Sequence, residues 1–326
     1  LLGSSADIAD ALSGNFTGYD GAITLTDASP TPANLKIIND ASAGTITLND
    51  NAATFTGSAA VMKAVFDGGL EGTQTGNVSI SDTEGTIAAT TLTDITAQTN
   101  GTVTAAAAGI TISGNATDLT AALVTTETNA VVANGKVTIT NTEGNVAATV
   151  LSAIGNSTGG TVTATGAITV TGSTEEITNA LVTESKLVVA SNASAAVTFV
   201  GDNPTGAELA AINPKVSGTI TLANTGQNFA GTATQLAAAF NGFGTNSLSG
   251  AITINAGTIS ATELKTISDV TSGAITLPQT NFALEGSSAD IADALSGNFT
   301  GYNGAITLTD ASPTPANLKI INDASA

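Results

Sequence analysis

Apolar residues come in short alternating bursts, most of them opened by a glycine. The pattern Gly-x-apolar-Thr/Ser-apolar occurs at Gly21–Leu25, Gly44–Leu48, Gly76–Ile80, Gly101–Ala105, Gly135–Ile139, Gly160–Ala164, Gly218–Leu222, Gly250–Ile254, Gly273–Leu277 and Gly304–Leu308, with Ala195–Phe199 as a variant without glycine. A period of two sends successive side chains to opposite faces of a strand. The pattern therefore predicts strands with Ile23 and Leu25, or Val137 and Ile139, turned inward and the hydroxyl residue outward.

Between these bursts the period changes to that of a helix. A glycine and a polar residue precede apolar pairs at i, i+4: Ile8 with Leu12, Met62 with Phe66, Leu119 with Leu123, Ile177 with Leu181 and Leu236 with Phe240. Such a pair forms one stripe of a short helix. Ser4, Ser58, Asn115, Ser173 and Thr232 stand where an N-cap belongs. Asp7, Asp118, Glu176 and Gln235 follow three residues later as capping-box partners, and Val61 is the exception. A second family of pairs at i, i+3 (Leu35 with Ile38, Leu92 with Ile95, Leu151 with Ile154, Leu209 with Ile212, Leu264 with Ile267) predicts a second set of short helices. Thr205 with Glu208, Ser260 with Glu263, and Thr31 ahead of Pro32 mark their starts.

These landmarks repeat. The leading glycines Gly3, Gly57, Gly114, Gly172, Gly231 and Gly286 define five units of roughly 54 to 59 residues, a recurrence that points to stacked repeats. The units begin near positions 3, 57, 114, 172 and 231. Residues 284–326 restart the first unit, matching residues 1–43 except for Glu285 in place of Leu2 and Asn303 in place of Asp20, so one long period runs from Leu1 to Ala283. Those two substitutions favour a window on a natural polymer over an artificial duplication. No signal peptide is present, and Leu1 reads as an end made by processing or excision.

Strand, turn, short helix and return within about 28 residues is one coil of a stacked repeat that buries its apolar face against its neighbours. The expected fold is an elongated parallel β-solenoid with short helices, an α/β solenoid with about two coils per unit, running as a single continuous body over residues 1–326. Helices need roughly 8 to 10 Å between axes and strands only about 4.8 Å, so curvature or superhelical twist is expected.

Composition narrows the chemistry. Seven lysines face 26 acids for a net charge of −19, and the chain has no arginine, histidine, cysteine or tryptophan. A Ser-His-Asp or Cys-His nucleophile pair and an ordinary zinc site are thereby excluded. Nucleic acid is not an expected partner without clustered cations to neutralise phosphates. No apolar run is long enough to enter a membrane. The excess of acid suits a saline exterior, where salt screens self-repulsion.

Segments such as Gly21-Ala22-Ile23-Thr24-Leu25-Thr26-Asp27, Gly231 to Phe240 and Ala261 to Gly273 resemble the tandem repeats of giant secreted cell-surface proteins of marine cyanobacteria, of the motility and surface-layer type. The resemblance covers essentially the whole chain and implies secretion, an exterior location and calcium, with no catalytic residue to carry over.

Four site readings follow from the residues. Asp27, Asp82, Asn141 and Asp310 share one aligned position after the strand, where stacked oxygens are candidate calcium ligands, although turn-forming side chains are the simpler account; Gly201 and Ala256 occupy it elsewhere. The outward hydroxyl column (Thr24, Thr47, Ser79, Thr104, Thr138, Thr163, Thr198, Thr221, Thr253, Thr276, Thr307) raises ice binding, but its second column is irregular. Glu175 with Glu176 and Asp7 with Asp10 are the nearest acidic pairs for glycan cleavage, yet both lie at helix starts where acids favour the dipole. Asn-x-Ser/Thr triplets at Asn15, Asn115, Asn156 and Asn192 are glycosylation acceptors no more frequent than chance. The expected function is a structural, non-enzymatic repeat segment of an extracellular filament, surface layer or stalk, with copies of itself or neighbouring repeats as partners and no cofactor unless calcium. A secreted adhesin or ligand-binding module contacting surface glycans is the alternative, with ice binding and polysaccharide cleavage behind it.

Overall fold

The computed structural model describes residues 1–14, 18–125, 130–141, 144–184, 186–189, 193–245, 247–255, 257–277, 282–296 and 302–325. Twelve α-helices occur among them: α1 (Ser5–Leu12), α2 (Pro32–Ala41), α3 (Ala59–Phe66), α4 (Ala89–Thr96), α5 (Ala116–Leu123), α6 (Ala148–Asn156), α7 (Thr174–Thr178, continued by a π turn over Asn179–Thr183), α8 (Gly206–Ile212), α9 (Ala233–Phe240), α10 (Ala261–Val270), α11 (Ser288–Leu295) and α12 (Pro315–Ala324). Both predicted families of apolar pairs are helical. Among the described residues none of these helices is long and apolar enough to cross a membrane.

The chain forms two compact units, one of Leu1–Thr142, Val150–Gly166 and Lys186–Ala193, the other of Glu143–Thr149, Ala167–Ser185 and Ser194–Ala326. In the first, helices α1 to α5 pack each on the next. Its strands form three parallel sheets: Leu2–Gly3, Ile23–Leu25 and Ile46–Thr47; Phe55–Gly57, Val78–Ile80, Val103–Thr104 and Ala130–Val131; and Glu84–Ala88, Gly109–Gly114, Lys136–Ile139, Val162–Ala164 and Leu187–Val189. In the second unit α7 to α12 pack in the same consecutive way. Its three parallel sheets are Asn145–Ala147, Ile168–Gly172, Ala195–Phe199 and Ile220–Thr221; Phe229–Gly231, Ile252–Ile254 and Ile275–Thr276; and Gly257–Ser260, Phe282–Gly286 and Ala305–Leu308.

This arrangement overturns the expected elongated β-solenoid and, with it, the filament resting on one continuous ladder. The protein is a mixed α/β fold with six separate small parallel sheets among the described residues. The cause is a mismatch of periods. Successive helix starts are nearest in sequence at Ala148 and Thr174 and are spread as widely as Ala116 and Ala148. Strand partners are mostly nearer than that, as with Leu2 and Thr24 or Phe55 and Val78. Even Val103 and Ala130, among the most widely separated partners, are no further apart than the helix starts Pro32 and Ala59. Each pairing therefore slips away from the next helix. Phe55–Gly57 abuts α3, Val78–Ile80 ends well short of α4, and Val103–Thr104 ends further short of α5. A fresh strand then forms beside the helix and begins another sheet.

The predicted alternation holds within each strand. Ile23, Leu25, Val78, Val103, Val137 and Ile139 are buried, as are the helix residues Leu35, Ile38, Met62, Leu92, Ile95 and Leu119. Burying one such side chain contributes roughly 1.5 to 3 kcal/mol. The predicted strands are all present, but those running directly into helices were not anticipated. Gly57, Gly114, Gly172 and Gly231, which serve in the sequence as helix landmarks, are the last residues of such strands.

Candidate functional site

The row predicted to offer oxygens to calcium lies against helix N-termini. The first N–H groups of a helix have no partner within it, so they seek an acceptor elsewhere. Ser5 N donates to Asp27 Oδ1 at 2.8 Å and Ser5 Oγ donates to Asp27 Oδ2 at 2.6 Å. Ala59 N donates to Asp82 Oδ2 at 2.6 Å, and Ala116 N to Asn141 Oδ1 at 2.8 Å. Asp310 repeats the Asp27 geometry on Ser288, at 2.9 Å from N and 2.6 Å from Oγ. A fifth member, Asp202, was missed because it sits one residue beyond the aligned position; its Oδ1 accepts from Thr174 N at 3.0 Å. Ala256, another aligned position, lies outside the described residues, as do Thr142 and Glu143 of the turn after Asn141.

Each carboxylate or amide thus completes the N-terminus of a helix formed one coil earlier in the chain. Ser4, Ser58, Asn115 and Ser173 cap α1, α3, α5 and α7 locally, each accepting from the third helical N–H. The reciprocal capping box forms where the partner is Glu or Gln: at Ser173 with Glu176, Thr205 with Glu208, Thr232 with Gln235 and Ser260 with Glu263. Asp is one methylene shorter. Asp7 instead accepts from the Ser4 hydroxyl at 2.7 Å, and Asp118 from Asn115 Nδ2 at 2.8 Å. Of the acids considered for catalysis, Asp7, Glu175 and Glu176 lie in first helical turns, with Glu176 Oε2 accepting from Ser173 N at 2.9 Å, whereas Asp10 falls later in α1.

Helix C-termini are closed by neighbours as well. Asn39 Nδ2 donates to Ala64 O and Val65 O at 3.2 and 2.7 Å, and Asn213 Nδ2 donates to Ala238 O, Ala239 O and Asn241 O at 2.9, 3.2 and 2.7 Å. Lys186 Nζ donates to Gly155 O and Thr158 O at 2.7 and 2.6 Å. Lys63 joins Asp67 in its own coil to Asp94 in α4, and Lys265 joins Asp269 to Asp293 in α11, with contacts of 2.7 to 2.9 Å. These acids hold both ammonium groups above their ordinary range.

Burial pushes the Asp27 carboxyl up, but the bonds from Ser5 Oγ and N outweigh it and leave Asp27 below the usual carboxylate range. At Asp310 the Ser288 hydroxyl bond is the largest influence and the shift is again downward. A carboxyl lowered by folding contributes stability that is complete above its unfolded value and is lost as pH falls through the lowered one. Acidification through and below the ordinary carboxylate range is therefore expected to release the starts of α1 and α11, read as faster exchange of the Ser5 and Ser288 amides once intrinsic pH effects are removed. Unchanged protection under acid would refute this.

The hydroxyl column is real but broken. Thr24 stands beside Thr47, Ser79 beside Thr104, Thr138 beside Thr163, Thr198 beside Thr221 and Thr253 beside Thr276, each set within its own sheet. Asn15 and Asn192 lie outside the described residues. No group of three or more His, Cys, Asp or Glu side chains that could hold a metal ion occurs among the described residues. A crevice of about 540 Å³ lies where Asn213–Lys215 makes a 3-10 turn after α8, and Pro214, Val216, Thr219, Asn241 and Phe243 help to line it. Comparison with known protein families and with characterised proteins finds no match.

The capping role gives a direct test of the row. Asp82→Ala is expected to cost about 1 to 2 kcal/mol at α3, by removing the acceptor of a backbone N–H. Chelation of divalent ions should leave the melting temperature of the unsubstituted protein unchanged. A fall on chelation that calcium restores would assign the ion to this row instead.

Proposed function

We propose that this chain is a structural repeat segment of an extracellular surface layer or stalk. The observation carrying this reading is that helices are completed at both ends by side chains from neighbouring coils, as at Asp27 on Ser5 and Asn39 on Ala64 and Val65. A coil of this kind is finished only by its neighbour, the property of a unit used in series. The recurrence of residues 1–43 at 284–326, the charge of −19 and the resemblance of the motifs to secreted cyanobacterial surface repeats support the same reading. Its test is location: antibody raised against the chain should label intact source cells, and brief external protease should remove the signal. Labelling only after permeabilisation would defeat it.

The crevice beside Phe243 favours one second reading, a ligand-binding or adhesive module. Its volume falls within the range of small-molecule sites, about 300 to 1,000 Å³. Titration with soluble oligosaccharides, followed by the Phe243 and Asn241 resonances, separates the two.

A further inference from the structure

Residues 1–43 and 284–326 present nearly the same sequence in two settings. The first copy is followed by another coil, and the second is preceded by one. Comparing them residue by residue shows what each face loses when its neighbour is missing.

In the first copy α3 packs on α2, and Leu35 is 0% exposed; the equivalent Leu318 of α12 is 40% exposed. Ile23 and Leu25 are buried, whereas Ile306 and Leu308 are half-buried. Ile23 N donates to Thr45 O at 2.8 Å, and its strand pairs on both sides; among the described residues Ala305–Leu308 pairs only with Phe282–Gly286. Asn39 caps α3 through two carbonyls, while its equivalent Asn322 is exposed. Strand edge, apolar surface and amide all lack the same coil.

The opposite face gives an independent match. Leu284 is 0% exposed and Leu1 is 47% exposed. Ala294 is buried and Ala11 exposed. Asp293 receives Lys265 from α10 at 2.9 Å, while among the described residues no lysine reaches the equivalent Asp10.

We infer that the face formed by Ala305–Leu308 and α12 is a docking surface, and that its occupant is the Gly44–Phe66 coil of a second copy of this repeat. The inference rests on the reading of the chain as one period of a structural repeat protein. The fit is specific, because the internal copy shows the same surface filled by that coil. Thr45 O meets the strand edge, α3 covers the leucine, and the terminal carbonyls of α3 receive the asparagine amide. Any apolar partner could cover Leu318, but this coil meets all three demands together in the internal copy.

The test is a tandem chain in which residues 44–326 follow Ala326 directly, so that Ala326 enters a second Gly44 as Ala43 enters the first. Exchange of the Ile306 amide should slow at least about tenfold relative to the single-period chain, approaching that of Ile23. Leu318→Asp should be mild in the single-period chain and as damaging as Leu35→Asp in the tandem one. Unchanged exchange at Ile306, a Leu318→Asp substitution that stays mild, or an added copy that aggregates or melts independently would overturn the inference. Failure to label the cell surface would overturn the proposed function and leave this result standing.

Discussion

Replacing Gly101 with alanine is expected to destabilise the Val78–Val103 pairing by on the order of 3 kcal/mol, although Gly101 has no unusual backbone angle. The reason is close approach. A methyl group there would overlap the carbonyl of Gly76 in the preceding coil and stand 2.8 Å from Asn77 N, so backbone rather than a movable side chain is in the way. The same collision recurs at Gly44 against Gly21 O and at Gly273 against Gly250 O. Relief requires the ladder to open. Native-state exchange of the Val78 amide, which donates to Thr102 O at 2.9 Å, should accelerate on the order of 100-fold. Gly85 supplies the control, with φ of +95° and nothing near its missing side chain. Its alanine variant should cost only about 1 to 2 kcal/mol, through backbone strain alone. Equal effects at the two positions would show that conformation, and not stacking, fixes the glycine.

That contrast marks what the sequence can express. The Gly-x-apolar-Thr-apolar bursts identified strands because period two is written in Ile23 and Leu25 themselves. The helices were legible for a similar reason: spacing places Met62 with Phe66 and Leu264 with Ile267 on one stripe, and Ser173 with Glu176 announces the cap. Strands such as Phe55–Gly57 were hidden, since three residues ending in glycine carry too little alternation to register. The division into six sheets among the described residues was hidden for a different reason. It arises from the difference between the helix period and the strand-pairing period, and a single unit displays only one of them. The carboxylate row was found at Asp27, Asp82, Asn141 and Asp310, but the helix N–H groups that donate to it were not anticipated. An oxygen aligned from coil to coil reads the same in sequence whether it faces a cation or an amide N–H. Asp202 escaped because alignment by position takes no account of one extra residue.

The corner hydroxyls were also invisible, and the second large effect is expected there. Thr271 is 1% exposed and stands two residues before the strand glycine. Its Oγ1 donates to Gly250 O at 3.0 Å and accepts from Gly273 N at 2.9 Å, joining two successive coils at their closest approach. Thr99 makes the same pair of bonds to Gly76 O and Gly101 N at 2.7 and 3.0 Å, and Thr158 bridges Gly135 O and Gly160 N. Valine matches threonine in shape but has neither donor nor acceptor. Thr271→Val therefore removes the partner of two backbone groups at once while leaving packing intact, and the expected cost is roughly 2 to 4 kcal/mol. Thr271→Ser keeps the hydroxyl and gives up only a methyl group, so about 1 kcal/mol is expected. The order of the two variants separates hydrogen bonding from packing. If serine proves worse than valine in thermal melting and in exchange of the Gly273 amide, the corner is held by its methyl group and the glycine stack has no need of the hydroxyl bridge.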